Sequence, residues 1–122
     1  DDSIQYTVMS YFGASNTGAI WNYNYAQTPM VYDILAIQQM YGAETTTRTG
    51  DTIYGFDTTE VGSVYDFSTN STPILTIWDA GGIDTLNVSN FRNDQVVDLN
   101  DGAYSDVGGL TSNVAIAFNA IV

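Results

Sequence analysis

After residue 52 the apolar residues come in short runs, each cut off by glycine, aspartate, asparagine or serine. The runs are 53–56, 64–67, 74–78, 85–88, 95–99 and 114–118. Runs of this length bounded by turn residues suit strands and are too short for helices. They predict a β-rich second part with tight connections. A full G-G-x-G-x-D-x-U-x repeat would indicate a calcium-binding parallel β-roll. The segments Gly81-Gly82-Ile83-Asp84 and Asp106-Val107-Gly108-Gly109 are only imperfect echoes of it.

Residues 29–41 carry the best helical pattern. Ile34, Ile37 and Tyr41 recur at three- and four-residue steps, joined by Met30 and Leu35. Thr28 is the expected cap, Pro29 suits the first turn, and Gly42 suits the stop. Asp33 can favour the positive helix end or bond to a neighbouring loop. Residues 3–12 are expected to be extended, followed by a polar loop over 13–18. The composition changes after Ala43: residues 44–50 contain no apolar run and read as a boundary.

The chain holds 14 acidic and 2 basic residues, a formal charge of -12 over 122 residues. Almost no cation is present to neutralise phosphate, so nucleic acid and anionic membrane surfaces are poor partners. No run is long and apolar enough to span a bilayer. Bound cations would offset the self-repulsion. Many aspartates stand beside glycines, where turns can aim several oxygens at one point, as calcium requires. Histidine and cysteine are both absent. An ordinary zinc site needs their nitrogen or sulfur, and an all-oxygen site favours calcium, magnesium or manganese. Asp57, Asp66, Asp98, Asp101 and Asp106 are assigned mainly to solvated turns, with Asp106 capping the turn before Gly108-Gly109.

Four stretches together carry a resemblance. They are Tyr6 to Tyr11 around Met9, the segment 26–42, the segment Arg48-Thr-Gly-Asp-Thr-Ile-Tyr-Gly-Phe56, and Trp78-Asp-Ala-Gly-Gly-Ile-Asp-Thr85 running on through residues 106–110. They resemble the serralysin family, secreted zinc endopeptidases of the metzincin group. The metzincin signature is HExxHxxGxxH followed by a Met-turn, and only the second element is here. The resemblance implies an α+β piece of a longer protease. Residues 1–45 would be the C-terminal part of a metzincin catalytic domain. Residues 46–122 would open a β-rich calcium-binding domain related to the parallel β-roll. The zinc-histidine segment, the full repeats and the C-terminal secretion signal would lie in the rest of an extracellular parent.

The resemblance also implies roles. Met9 matches the methionine beneath the zinc, a support and not a ligand. Tyr11 matches a tyrosine that coordinates zinc at rest and stabilises the transition state in the parent, which acts on peptide or protein substrates. Phe12 stands where a tryptophan is common. Arg48 and Gly50, through their carbonyls, with Thr52, Asp79, Gly81 and Asp84, match one calcium site. Gly82 and Asp84 would begin a second, completed by a backbone oxygen near Ile121 and a later glutamate. Without the family match, Asp79-Ala-Gly-Gly82 reads as a β-turn, which is compatible with calcium. The isolated chain is expected to be inactive, since Glu44 and Glu60 do not match the catalytic base. Two alternatives compete. One is a noncatalytic calcium-binding structural module. The other is a glycan-binding β domain using Trp21, Tyr23 and Tyr25.

Overall fold

A computed structural model describes residues 2–42, 45–120 and 122. Element order is a 3-10 turn at Ala14–Thr17, helix α1 at Val31–Tyr41, and strands β1 Ile53–Gly55, β2 Leu75–Ile77, β3 Thr85–Asn87, β4 Tyr104–Ser105 and β5 Val114–Ile116. β1 pairs with β3 in parallel, with Ile53 opposite Thr85. β2 pairs with β5 in parallel and β4 runs antiparallel to β5, giving the order β2-β5-β4.

The short runs of the second part do become β structure, but only part of each run pairs. Within residues 64–67 a single bridge joins Asp66 to Gly55, and within 95–99 one joins Val96 to Asp106. The polar pair Tyr104–Ser105, which has no apolar periodicity, pairs instead. Gly55 marks why β1 is short. It sits at φ 102°, and a Cβ there would lie 2.0 Å from the Asn87 carbonyl oxygen. Only glycine lets the two backbones come this close.

Four expectations for the first part need correction. Residues 3–12 are not extended: the Tyr6 and Thr7 amides both donate to Ser3 O in successive turns. Thr28 does not cap the helix. Its hydroxyl is taken by the Thr76 amide at 2.9 Å. Asp33 caps instead, its Oδ2 accepting from the Met30 amide at 2.9 Å, so the helix starts at Val31 with Pro29 outside it. The apolar face is covered only near its start: Met30 and Val31 are buried, whereas Ile37, Met40 and Tyr41 are exposed. Ile34 packs on the main core.

That core gathers Tyr54, Phe56, Phe67, Leu75, Ile77, Val114 and Ile116 from both sheets. Full burial of each aliphatic chain contributes about 1.5–3 kcal/mol. Phe56, Phe67 and Phe91 meet with ring centroids 4.9–6.1 Å apart. A second core crosses the compositional boundary, joining Ala14, Ala19, Trp21 and Met30 to Ile74 and Leu110. Backbone bonds follow the same route: Gln27 donates to Ile74 O, and Ile20 and Thr111 exchange both bonds. Trp21 is therefore no platform for a ligand. It is 4% exposed, and its indole Nε1–H donates to Ser112 O at 3.0 Å.

Two buried polar residues hold the connections. Asn113 is fully buried. It accepts from the Val107 amide and donates to Pro73 O and Val107 O. Asp66, expected in a solvated turn, is buried instead. The Gly62 amide, then the Ser68 hydroxyl, hold its carboxyl below the usual carboxylate range. Three other aspartates behave as turn residues: Asp57 is exposed at φ 53°, Asp98 accepts from Asn100 and Asp101 from the Asn119 amide. Asp106 is instead bridged to Val96, its carboxylate accepts from the Ser112 amide, and the Gly108 amide goes to Gln95.

Asn113→Ala would take the Asn113 partner from the Val107 amide and the Pro73 carbonyl, while the Val107 carbonyl keeps the Leu110 amide. We expect it to lower unfolding free energy by about 2–4 kcal/mol in urea titrations; a loss under about 0.5 kcal/mol would contradict the bonding described. For Asp66 the depressed carboxyl gives stability that is present above the unfolded-state pKa and lost as pH falls through the folded one. The stability gap between wild type and Asp66→Asn should therefore shrink on acidification; a gap that does not change with pH would contradict this.

Candidate calcium-binding site

The loop before β1 and the loop before β3 are brought together by the parallel pairing of those strands. The Ala80 amide donates to Thr47 O at 3.0 Å, and the Thr85 amide to Thr52 O at 2.9 Å. Two carboxylates stitch the space between. Asp84 Oδ1 accepts from the Thr52 amide at 2.9 Å, and Asp51 Oδ1 accepts from the Ile83 amide at 2.9 Å. Loops with no ladder of their own are thus tied by aspartates reaching across to backbone donors.

All seven candidate calcium residues fall in or beside this junction. Arg48 and Gly50 lie on the first loop, Arg48 at φ 50°. The Gly50 carbonyl accepts weakly from Thr52 Oγ1 at 3.2 Å and keeps a second lone pair. Thr52 and Asp79 are buried. Gly81 and Gly82 have φ of 158° and 113°. A Cβ on Gly82 would lie 2.5 Å from Gly50 O, and one on Gly81 3.7 Å from Thr49 O. Asp79 Oδ1 accepts from the Gly81 amide at 2.9 Å, so the turn reading of residues 79–82 also holds.

One atom stands out chemically. Asp84 Oδ2 is buried and has no hydrogen-bond partner among the described residues. Leaving a buried carboxylate oxygen unpaired costs free energy. Burial first, then the neighbouring Asp79 and Asp51, push the Asp84 carboxyl above the usual range, against the Thr52 amide, which favours the ionised form. A cation would supply the missing partner and relieve the repulsion among these acids. Hard carboxylate, hydroxyl and carbonyl oxygens are the donors calcium takes. Among the described residues no three His, Cys, Asp or Glu side chains gather as a metal cluster. A cation held here would depend on backbone carbonyls beside the Asp79 and Asp84 carboxylates. Ile121, expected near a second site, and Glu44 lie outside the described residues.

Two features of the junction are not legible in the residue pattern. Asp51 bonds across to Ile83, 32 residues away. Tyr54 is fully buried, donates from its hydroxyl to Asp79 Oδ2 at 2.6 Å and accepts from Arg48 Nε at 2.8 Å. Arg48, one of two basic residues in the chain, also donates from Nη2 to Trp78 O and lies 5.2 Å from the Tyr65 ring centroid. A tyrosine in an apolar run reads as core; its bond to Asp79 appears only once β1 and the end of β2 are adjacent.

Met9 and Tyr11 lie elsewhere, on the turns before the helix, and both are exposed. Asp33 anchors that segment. Its Oδ1 accepts from Thr7 Oγ1 at 2.6 Å and its Oδ2 from the Val8 amide at 3.0 Å, while also capping the helix.

Gly82→Ala combines a positive φ with a clash against backbone. We expect about 2–4 kcal/mol of destabilisation, read by chemical denaturation in chelator. A wild-type midpoint would contradict the close approach of the two loops.

The family model described as "Peptidase M10 serralysin C terminal" matches residues 43–122. Relatives align over the first part as well. Serralysin C of Dickeya chrysanthemi is 46% identical over 123 aligned positions, covering 100% of this chain and 26% of the relative. Serralysin of Proteus mirabilis is 49% identical, with 100% and 25% covered. Serralysin of Photorhabdus sp. (strain Az29) is 50% identical, with 96% and 24% covered. The chain spans about a quarter of the length of these relatives. With its β-rich, largely parallel second part and a family match over that same part, this chain belongs to the serralysin family.

Proposed function

We propose that this chain acts as a noncatalytic, calcium-binding structural module of a serralysin-type protein. The observation that carries the reading is the unpaired, buried Asp84 Oδ2 at the junction of two loops rich in oxygen donors. Asp79, Asp84, the Thr52 hydroxyl and the carbonyls of Arg48, Gly50 and Gly81 would hold the ion, and Gly82 with the shared Asp84 would begin a second site. Bound calcium supplies charge neutralisation and cross-links two loops that are far apart in sequence. Because those loops come together only on folding, binding would stabilise the folded form. The formal charge of -12 makes that neutralisation more valuable.

A second reading concerns the whole protein: a secreted, calcium-stabilised zinc endopeptidase acting on peptide or protein substrates. The relatives' names favour it, and Asp33 holds Thr7 and Val8, which lead into Met9 and Tyr11. Met9 would support the zinc centre and Tyr11 would be its conditional ligand. The donors of this chain do not themselves fit a zinc centre, because histidine and cysteine are absent. Catalysis would depend on residues outside the 122, and the module by itself would be inactive. Among the described residues no helix is long and apolar enough to cross a membrane.

Calorimetry in calcium-free buffer tests the structural reading. Calcium should bind with heat and raise the thermal midpoint. Asp84→Ala should weaken binding at least tenfold, and Asp57→Ala, an exposed turn residue away from the junction, should leave it unchanged. Absence of calcium-dependent heat and stabilisation in folded protein, or equal losses in the two variants, would sink the site.

A further inference from the structure

We propose that Tyr54 is a positioning residue for calcium: its buried hydroxyl links the Arg48 loop to the Asp79 carboxylate and fixes both before the ion arrives. The proposal rests on the calcium reading above. The phenol lies on β1, between the two loops, and is fully buried. Its oxygen accepts from Arg48 Nε at 2.8 Å, and its proton goes to Asp79 Oδ2 at 2.6 Å. The other Asp79 oxygen takes the Gly81 amide at 2.9 Å. Each carboxylate oxygen thus has one protein donor and keeps lone-pair capacity for a cation. The carboxylate plane is set from both ends.

Arg48 is fixed in a similar way. Its side chain is held by Tyr54, by the Trp78 carbonyl and over the Tyr65 ring. Its backbone takes φ 50°, a conformation that most residues avoid. The side chain therefore holds in place the residue whose carbonyl is the candidate ligand. One hydroxyl connects a carbonyl donor on the first loop with a carboxylate donor on the second, 31 positions later in sequence if counted from residue 48 to residue 79.

This differs from a merely structural role. A buried Asp79 needs a donor in any case, and Tyr54 would satisfy that need without affecting calcium. The difference is visible in affinity. Groups that orient metal ligands cost about 10–100-fold in metal affinity when removed. Tyr54→Phe keeps the ring and deletes only the hydroxyl. Tyr65→Phe is the comparison: it keeps the ring beside Arg48 and loses the hydroxyl's contacts with Arg48 and, at 3.4 Å, with Thr76 O, neither of which reaches Asp79.

Calcium affinity by calorimetry and unfolding stability in chelator are measured on wild type and both variants. Tyr54→Phe should bind calcium about 10–100-fold more weakly, while Tyr65→Phe binds like wild type. Undiminished binding by Tyr54→Phe, or equal weakening in both variants, overturns the inference and leaves the site standing. A wild type that binds no calcium overturns the site and this inference together. Should Tyr54→Phe not fold, the wild-type protein still decides. The hydrogen-bonded Tyr54 hydroxyl proton should give a protected resonance that shifts on calcium saturation; a resonance unmoved by saturating calcium overturns the inference.

Discussion

The parallel pairing of β1 with β3 depends on, and creates, the junction of the loops at 47–52 and 79–85. Three paired residues per strand supply few ladder bonds. The remaining connection comes from Thr52 and Ile83 amides donating to Asp84 and Asp51, and from Ala80 donating to Thr47. The aspartates that bind the loops to each other also concentrate negative charge there. In the calcium reading proposed above, stability and cation affinity would come from the same side chains. Arg48 offsets part of that charge, and its distant partner Glu60, at 3.7 Å on the partly exposed side, adds little.

The second core joins residues of the helix-bearing part to residues of the β-rich part. Trp21, Met30 and Ile74 share one cluster, and Thr28 serves the Thr76 amide. The helix is thereby attached through its start, while Ile37, Met40 and Tyr41 further along it are exposed. Asp33 joins three things in one carboxylate: the helix cap, Thr7 and Val8.

Much of this order was legible in the residues. Gly42 does end the helix, and the runs 53–56, 74–78, 85–88 and 114–118 each contain a strand. The helix start was misread because Thr28 is recruited by a partner 48 residues away, which no local cap rule can see. Tyr104–Ser105 was missed because its pairing is imposed by β5 and not by its own propensity. The glycan-binding alternative loses Trp21, whose buried indole N–H donates to the Ser112 carbonyl. For the candidate site, the aspartate–glycine spacing showed where turns could aim oxygens. The contributions of Asp51 and Tyr54 could not be read there, since both act through contacts 25–32 residues distant.

The central claim is that Asp84 Oδ2 is left unpaired by protein donors because a cation takes that place. A crystal structure of the protein at saturating calcium tests it most directly. The account predicts an ion bound to Asp84 Oδ2 and to oxygens of the 48–52 and 79–82 loops. A well-ordered structure in which Asp84 Oδ2 is bonded only to protein donors or water, with no ion at the junction, would contradict it.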